Sequence, residues 1–159
     1  MPTDSLSKGY GVHPSEALNR AFAARPFQGA EPEKAAFLFV GLDANYSPAI
    51  ERNAVFERVL DYLTDGVAFW KSHRVHHPFL LPEYRGDGQK YHKTFATIGF
   101  CPEHAEQVSF IEMLHVPTVG QSKLTIDDLD NDHLARLFDA IEHGSARHIF
   151  VPGGVARLM

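Results

Sequence analysis

The amino-acid sequence predicts an α/β fold with three layers, in which helices flank a central, mostly parallel β-sheet. The uninterrupted apolar run at 35–40 has the pattern of a strand buried on both faces. Two further strand candidates, at 108–113 and 147–151, are separated from it by segments with helical periodicity. This alternation of strands and helices is typical of α/β domains.

The helices are predicted from the spacing of apolar side chains. Five segments show that spacing: 14–25, 50–64, 67–73, 89–98 and 128–143. The second is the clearest, because Val55, Val59 and Leu63 share one helical face. We expect residues 1–11 to form an irregular arm. We expect residues 76–88, which are rich in proline and glycine, to run over the surface.

Length and composition indicate one ordinary globular domain over residues 1–159. The net charge of -5 does not favour a general affinity for nucleic acid, although steering depends on the local distribution of charge. The one cysteine, Cys101, cannot form an internal disulfide, which favours a reducing compartment. No signal peptide and no membrane-spanning run is evident, so we expect a cytoplasmic protein.

The first strand is followed by a loop that contains several polar side chains. Gly41 allows the backbone to turn, and Asp43, Asn45, Tyr46 and Ser47 follow it. Ligands of open α/β sheets bind outside the carboxyl ends of the strands, so this loop is the first candidate site. The alternative is structural, because Asp and Asn are common in loops and helix caps, where they bond nearby backbone groups.

The sequence Gly-Leu-Asp-Ala-Asn-Tyr at 41–46, directly after a strand, resembles the first motif of the uracil-DNA glycosylase superfamily. Residues 108–114 resemble the middle strand of that family, whose end carries a base-reading side chain. Residues 148–156 resemble the next strand and its glycine-containing turn into a helix. The chain differs from the family at Ala44, where Pro is common, and at Glu112, where several members carry Asn.

The resemblance implies hydrolysis of the N-glycosidic bond of a damaged or deaminated, uracil-type base, as in base-excision DNA repair. DNA is then the partner, and neither a cofactor nor a metal is implied. Asp43 is the candidate catalytic residue, because a fixed carboxylate stabilises the developing positive charge on the sugar and orients or deprotonates water. The candidate base-binding residues are Gly41, Leu42, Asn45, Tyr46 and Glu112. For Glu112 the alternative is a surface ion pair.

A flipped base is held by aromatic stacking, for which Tyr46 is the first candidate. Phe69, Trp70 and Phe79 are further candidates, although aromatic residues at helical spacing more often belong to the core.

A second polar cluster covers residues 86–93. Gly86 and Gly88 precede a predicted helix that carries Lys90 and Lys93, which favours contact with phosphate. The alternative is an ordinary loop followed by a solvated helix face.

Ten histidines are present, and three of them, His73, His76 and His77, lie close together in the sequence. A zinc site needs paired ligands on one helix face, and Pro78 ends the helix too early for His73 and His77 to form such a pair. The sequence therefore does not predict a metal site.

The last motif of the family, a loop containing His or Asn, would follow the helix that begins near Val155, and this chain ends first. We expect a domain without its C-terminal helix and strand, or a fold completed by a partner; the alternative is a frayed terminus. Two other functions remain open. One is a non-catalytic relative that binds nucleic acid or nucleotide. The other is a different α/β enzyme that acts on a free nucleotide or small sugar. The oligomeric state is not predicted.

Overall fold

The computed structural model describes residues 8–159, which form a mixed α/β fold with two β-sheets. The strands are β1 (Gly11–Val12), β2 (Gln28–Gly29), β3 (Phe37–Gly41), β4 (Ala44–Asn45), β5 (Val108–Glu112), β6 (Pro117–Val119) and β7 (His148–Phe150). The helices are α1 (Glu16–Ala24), α2 (Phe56–Thr64), α3 (Gly66–His73), α4 (Gln89–Ala96), α5 (Asn131–His143) and α6 (Gly153–Ala156). Short 3₁₀ turns occur at Ile50–Arg52, Pro78–Leu80, Pro102–Gln107 and Ile126–Asp128. Within residues 8–159, every helix is too short or too polar to cross a lipid bilayer.

The larger sheet has the strand order β2-β5-β3-β7. Strand β3 pairs in parallel with both β5 and β7, and β2 joins the edge of β5 in antiparallel orientation. The three strands predicted from the sequence are therefore the three parallel ones, and the α/β prediction is confirmed. The register places Gly41 at the end of β3 beside Glu112 at the end of β5.

The smaller sheet has the order β1-β6-β4. Strand β4 begins at Ala44, directly after Asp43, and pairs in parallel with β6, so that Asn45 lies opposite Thr118. The loop at the end of β3 is consequently held between the two sheets. The sequence did not predict these strands, because two or three residues are too few to show a period.

Side chains alternate along β3 and divide the core into two parts. Leu38 and Val40 pack with Leu137 of α5 on one face of the larger sheet. Phe37 and Phe39 lie on the other face, in a cluster that includes side chains from α3 and α4. Helices thus cover both faces of the sheet, and the apolar side chains of β3 pack against them on both faces.

The helix boundaries differ from the prediction at two positions. The segment predicted as one helix over 50–64 is a 3₁₀ turn followed by α2, because Asn53 has an extended backbone and its side chain accepts a hydrogen bond from the Val55 amide. Helix α3 begins at Gly66, one residue before the predicted start at 67. Asp65 ends α2 and caps α3, since its carboxylate accepts a hydrogen bond from the Ala68 amide.

The prediction that residues 76–88 run over the surface is wrong for 76–81 and for Tyr84, whereas residues 82, 83 and 85–88 are exposed as expected. His76, His77, Phe79 and Tyr84 are buried, and the rings of Phe79 and Tyr84 stack with centroids 4.1 Å apart. Proline and glycine in this segment indicate irregular backbone, and its aromatic side chains determine which part of it is buried. Of the predicted arm at 1–11, residues 1–7 lie outside the described residues, and Gly11 belongs to β1.

Gly66 brings α3 against the backbone of β2. A Cβ atom at Gly66 would lie 2.6 Å from the amide nitrogen and 3.0 Å from the Cα of Gly29, and neither atom can rotate away. We expect Gly66→Ala to lower the free energy of unfolding by about 2 kcal/mol in urea denaturation. Gly153→Ala is the matched control, because Gly153 also begins a helix and has nothing within 4 Å of the added atom. Equal stabilities for the two variants would contradict this account.

Candidate functional site

A cavity of about 690 Å³ lies at the carboxyl ends of β3 and β5. Its walls come from the loop at 41–46, the end of β5, the segment from His76 to His92, the loop after β6 and the residues around α6. This volume falls in the range of about 300–1,000 Å³ that is usual for small-molecule sites. The position agrees with the sequence prediction, which placed the site at the end of the first parallel strand.

The carboxylate of Asp43 is held by hydrogen bonds from the smaller sheet. Its Oδ2 accepts hydrogen bonds from the hydroxyls of Thr118, at 2.5 Å, and Ser122, at 2.7 Å. No hydrogen bond reaches its Oδ1 from residues 8–159. Asp43 therefore caps no helix in this structure. One of its oxygens is fixed, and the other is available to a ligand or a water molecule.

Asn45 supports this arrangement from the mouth of the cavity. Its amide nitrogen donates to the Thr118 hydroxyl at 3.1 Å and to the Gly120 carbonyl at 2.7 Å. Thr118 is fully buried, so the hydrogen bond from Asn45 helps to set the direction in which its hydroxyl donates. Asn45 was predicted to contact the base. Its side chain borders the cavity, and its amide nitrogen is used to position Thr118.

Glu112 occupies space that Gly41 leaves open. A Cβ atom at position 41 would overlap the Glu112 carboxylate, so only glycine on β3 permits this placement. Burial raises the pKa of Glu112 to about 7, and the nearby charge of Asp43 acts in the same direction. The side chain borders the cavity, and no ion pair involves it among the described residues. The structure therefore brings both predicted carboxylates into one cavity.

Flat rings form the wall on the α4 side. The imidazoles of His77 and His92 stack with centroids 3.6 Å apart and an interplanar angle of 12°. The His76 Nε2 and His92 Nδ1 atoms lie 3.3 Å apart. Burial lowers the pKa of His76 to about 4 and that of His92 to about 3, so both rings are uncharged near neutral pH.

The predicted aromatic contacts divide into two groups. Tyr46 and Phe79 line the cavity and lie edge to face, with centroids 6.0 Å apart. Phe69 and Trp70 belong to the hydrophobic core. Leu42, also predicted, lines the cavity.

The described part of the chain holds no group of three or more His, Cys, Asp or Glu side chains arranged to bind a metal ion. The histidines at 76, 77 and 92 contribute to the cavity as uncharged rings, a role that the sequence analysis did not consider.

The cationic residues near the cavity only partly match the prediction. Lys90 and Lys93 line a separate surface depression of about 570 Å³, together with Gly86 and Gly88. Gly88 borders both the depression and the cavity. The exposed side chains of Lys123 and Arg157 border the cavity itself, and the sequence analysis missed both.

Three further polar residues of the site were missed: Gln28 and Ser122, which line the cavity, and Thr118, which donates a hydrogen bond to Asp43. Gln28 and Thr118 lie on short strands, and Ser122 follows one, so local periodicity carries no signal for them. Only the pairing of β2 with β5, and of β4 with β6, brings these residues to the site.

Comparisons with protein-family models, with curated proteins and with solved structures find no match to this chain. The function is therefore argued from the residues of the cavity and their geometry.

The raised pKa of Glu112 predicts a pH-dependent stability. Between about pH 4.5 and pH 7 the folded state keeps a proton that the unfolded state releases, so the contribution of Glu112 to stability falls as pH rises. Glu112→Gln cannot ionise. We expect it to match the wild type near about pH 4 and to exceed it by about 3 kcal/mol above about pH 8.

Urea denaturation of both proteins across this pH range measures the difference. Glu57→Gln, at an exposed position on α2, is the control and should show no such trend. A difference between Glu112→Gln and wild type that stays constant with pH would contradict the burial of an ionisable carboxyl.

Proposed function

We propose that this protein is a hydrolase of N-glycosidic bonds that releases a damaged or deaminated base from DNA, as the uracil-DNA glycosylase superfamily does. The observation that carries the proposal is the Asp43 carboxylate, which borders a ring-lined cavity with Oδ2 held and Oδ1 open. The parallel strands covered by helices on both faces support the three-layer architecture that the resemblance implies.

The chemistry follows from the two carboxyl groups. As the bond between the sugar and the base breaks, positive charge develops on the sugar, and the carboxylate of Asp43 stabilises it. Oδ1 of Asp43 orients a water molecule and accepts its proton, while the water oxygen bonds to the sugar carbon. The base leaves with the bonding electron pair. Glu112, with a pKa of about 7, is ionised in part at neutral pH and accepts a hydrogen bond from a ring N–H of the base.

The walls of the cavity suit a flat, uncharged ring. Tyr46 and Phe79, together with the neutral imidazoles of His77 and His92, provide faces for stacking without introducing charge. The exposed cations Lys123 and Arg157 at the edge of the cavity, with Lys90 and Lys93 nearby, offer contacts to phosphate in a chain whose net charge is -5. Phosphate binding is therefore a local property of this face.

Asp43→Asn tests the catalytic role. We expect wild-type protein to release base from oligonucleotides that carry uracil, hypoxanthine or xanthine, and the variant to be at least tenfold slower, which corresponds to about 1.4 kcal/mol of barrier. Asp61→Asn, at an exposed position on α2, is the matched control and should retain the wild-type rate. Absence of base release by the wild type on all three substrates would exclude the proposal and favour a protein that only binds nucleotides.

The salt dependence of binding tests the DNA partner. Replacement of Lys123 or Arg157 by Gln should weaken binding of uracil-containing DNA, and should reduce the slope of log K against log salt by about 1 for each residue that contacts phosphate. The same measurement on Lys90→Gln and Lys93→Gln decides whether the depression beside the cavity also binds phosphate. Lys34→Gln, an exposed residue paired with Glu31, is the control.

An affinity of the wild type that does not change between low and physiological salt would argue against DNA. It would favour a free nucleotide or small sugar as the ligand.

A further inference from the structure

Gln28 is a buried polar residue of the cavity without a hydrogen-bonding partner. Its side chain lines the cavity, and the residue is only 5 % exposed. Its Nε2 atom is buried and has no hydrogen-bond partner among residues 8–159. A buried amide without a partner costs free energy of folding, so a residue of this kind needs an explanation. A ligand in the cavity would supply the missing partner once the carboxamide turns its nitrogen toward it.

The sheet places Gln28 next to the groups already assigned to the base. Gln28 on β2 lies directly opposite Phe110 on β5, and opposed residues of an antiparallel pair share one face. Glu112 is two residues beyond Phe110 and therefore lies on that same face. All three side chains border the cavity. A ring that contacts Glu112 along this face lies beside the carboxamide of Gln28.

We propose that Gln28 is a base-binding residue of the cavity, whose carboxamide donates a hydrogen bond to a carbonyl oxygen on the bound ring. Glu112 accepts a hydrogen bond from the adjacent ring N–H. This inference rests on the proposed function, since it names a residue that reads the base. Gln28 lies outside the two segments that supplied the predicted base-binding residues, which are the motif at 41–46 and the end of β5.

Gln28 and Glu112 together distinguish a deaminated base from the amino base it derives from, because deamination exchanges hydrogen-bond donors and acceptors on the base. A base with an oxo group beside a ring N–H satisfies both Gln28 and Glu112. An amino base in the same orientation presents a bare ring nitrogen to Glu112, and an ionised carboxylate cannot donate to it. A half-turn of the Gln28 carboxamide exchanges its nitrogen and oxygen, but Glu112 has no equivalent adjustment when it is ionised.

The test uses Gln28→Met, which keeps the length of the side chain and removes its polar atoms. Gln89→Met is the matched control, because the Gln89 amide donates to the Phe79 carbonyl at 3.0 Å and so has a partner. Without ligand, we expect Gln28→Met to raise the midpoint of urea unfolding and Gln89→Met to lower it. A Gln28→Met protein that is less stable than wild type would show a structural role and overturn the proposal.

Binding is measured by calorimetry with 1-methyluracil and 1-methylcytosine at a pH of about 8, where Glu112 is ionised. The methyl group takes the place of the sugar, so the ring nitrogen that carries it has no hydrogen in either compound. We expect wild type and Gln89→Met to bind 1-methyluracil at least tenfold more tightly than 1-methylcytosine. Gln28→Met should bind 1-methyluracil at least tenfold more weakly than wild type.

The outcomes separate this inference from the proposed function. Unchanged uracil binding by Gln28→Met overturns the role of Gln28 and leaves base release by the wild type unaffected. Selective uracil binding that depends on Gln28, in a wild type that releases no base, supports Gln28 and excludes the glycosylase. A wild type that binds neither base overturns the role of Gln28, and base release from the oligonucleotides then decides the glycosylase separately.

Discussion

The contact between Gly41 and Glu112 is the constraint on which the site depends. These residues end two neighbouring parallel strands, and the missing side chain of Gly41 leaves the space in which the Glu112 carboxylate lies. A carboxylate in this place is costly to ionise, since it is buried and lies near Asp43. The fold therefore keeps one of its two carboxyl groups protonated in part at neutral pH.

The second carboxylate links the two sheets. Asp43 lies in the loop between β3 of the larger sheet and β4 of the smaller sheet, whereas Thr118 comes from β6 and Ser122 from the loop after it. The amide of Asn45 completes the network on the outer side of Thr118. The strands of the smaller sheet are too short for that sheet to be stable by itself. It forms at the place where it holds Asp43, the candidate catalytic residue. The smaller sheet thus orients Asp43. The loop sequence at 41–46 contains Asp43 but not Thr118 and Ser122, which hold its carboxylate.

Elements that contain a continuous apolar run or a long helical pattern could be predicted from the sequence. Strands β3, β5 and β7 and helices α1 and α5 were found in this way, and Asp43 and Glu112 follow from their positions at strand ends. Gln28 and Thr118 could not be found, because their strands contain only two or three residues and belong to no apolar run. The buried part of the segment at 76–88 was misplaced because proline and glycine show where the backbone is irregular but not how deeply it is buried. Gln28 and Thr118 reach the site only through the pairing of short strands from distant parts of the chain.

The ionisable groups of the cavity oppose one another in their dependence on pH. Burial holds His76 and His92 neutral, with pKa values of about 4 and 3. The folded state therefore loses stability as pH falls below 6.5, the ordinary pKa of histidine, because the unfolded state then binds protons that these two buried rings do not. Glu112 has the opposite sign, because its protonated form is favoured and its contribution is lost as pH rises toward 7. Between about pH 4 and pH 7 all three groups are predominantly uncharged. In that range the wall of the cavity carries no charge from these residues, which is the condition that a neutral ring requires for stacking, and Asp43 supplies the charge that acts on the sugar.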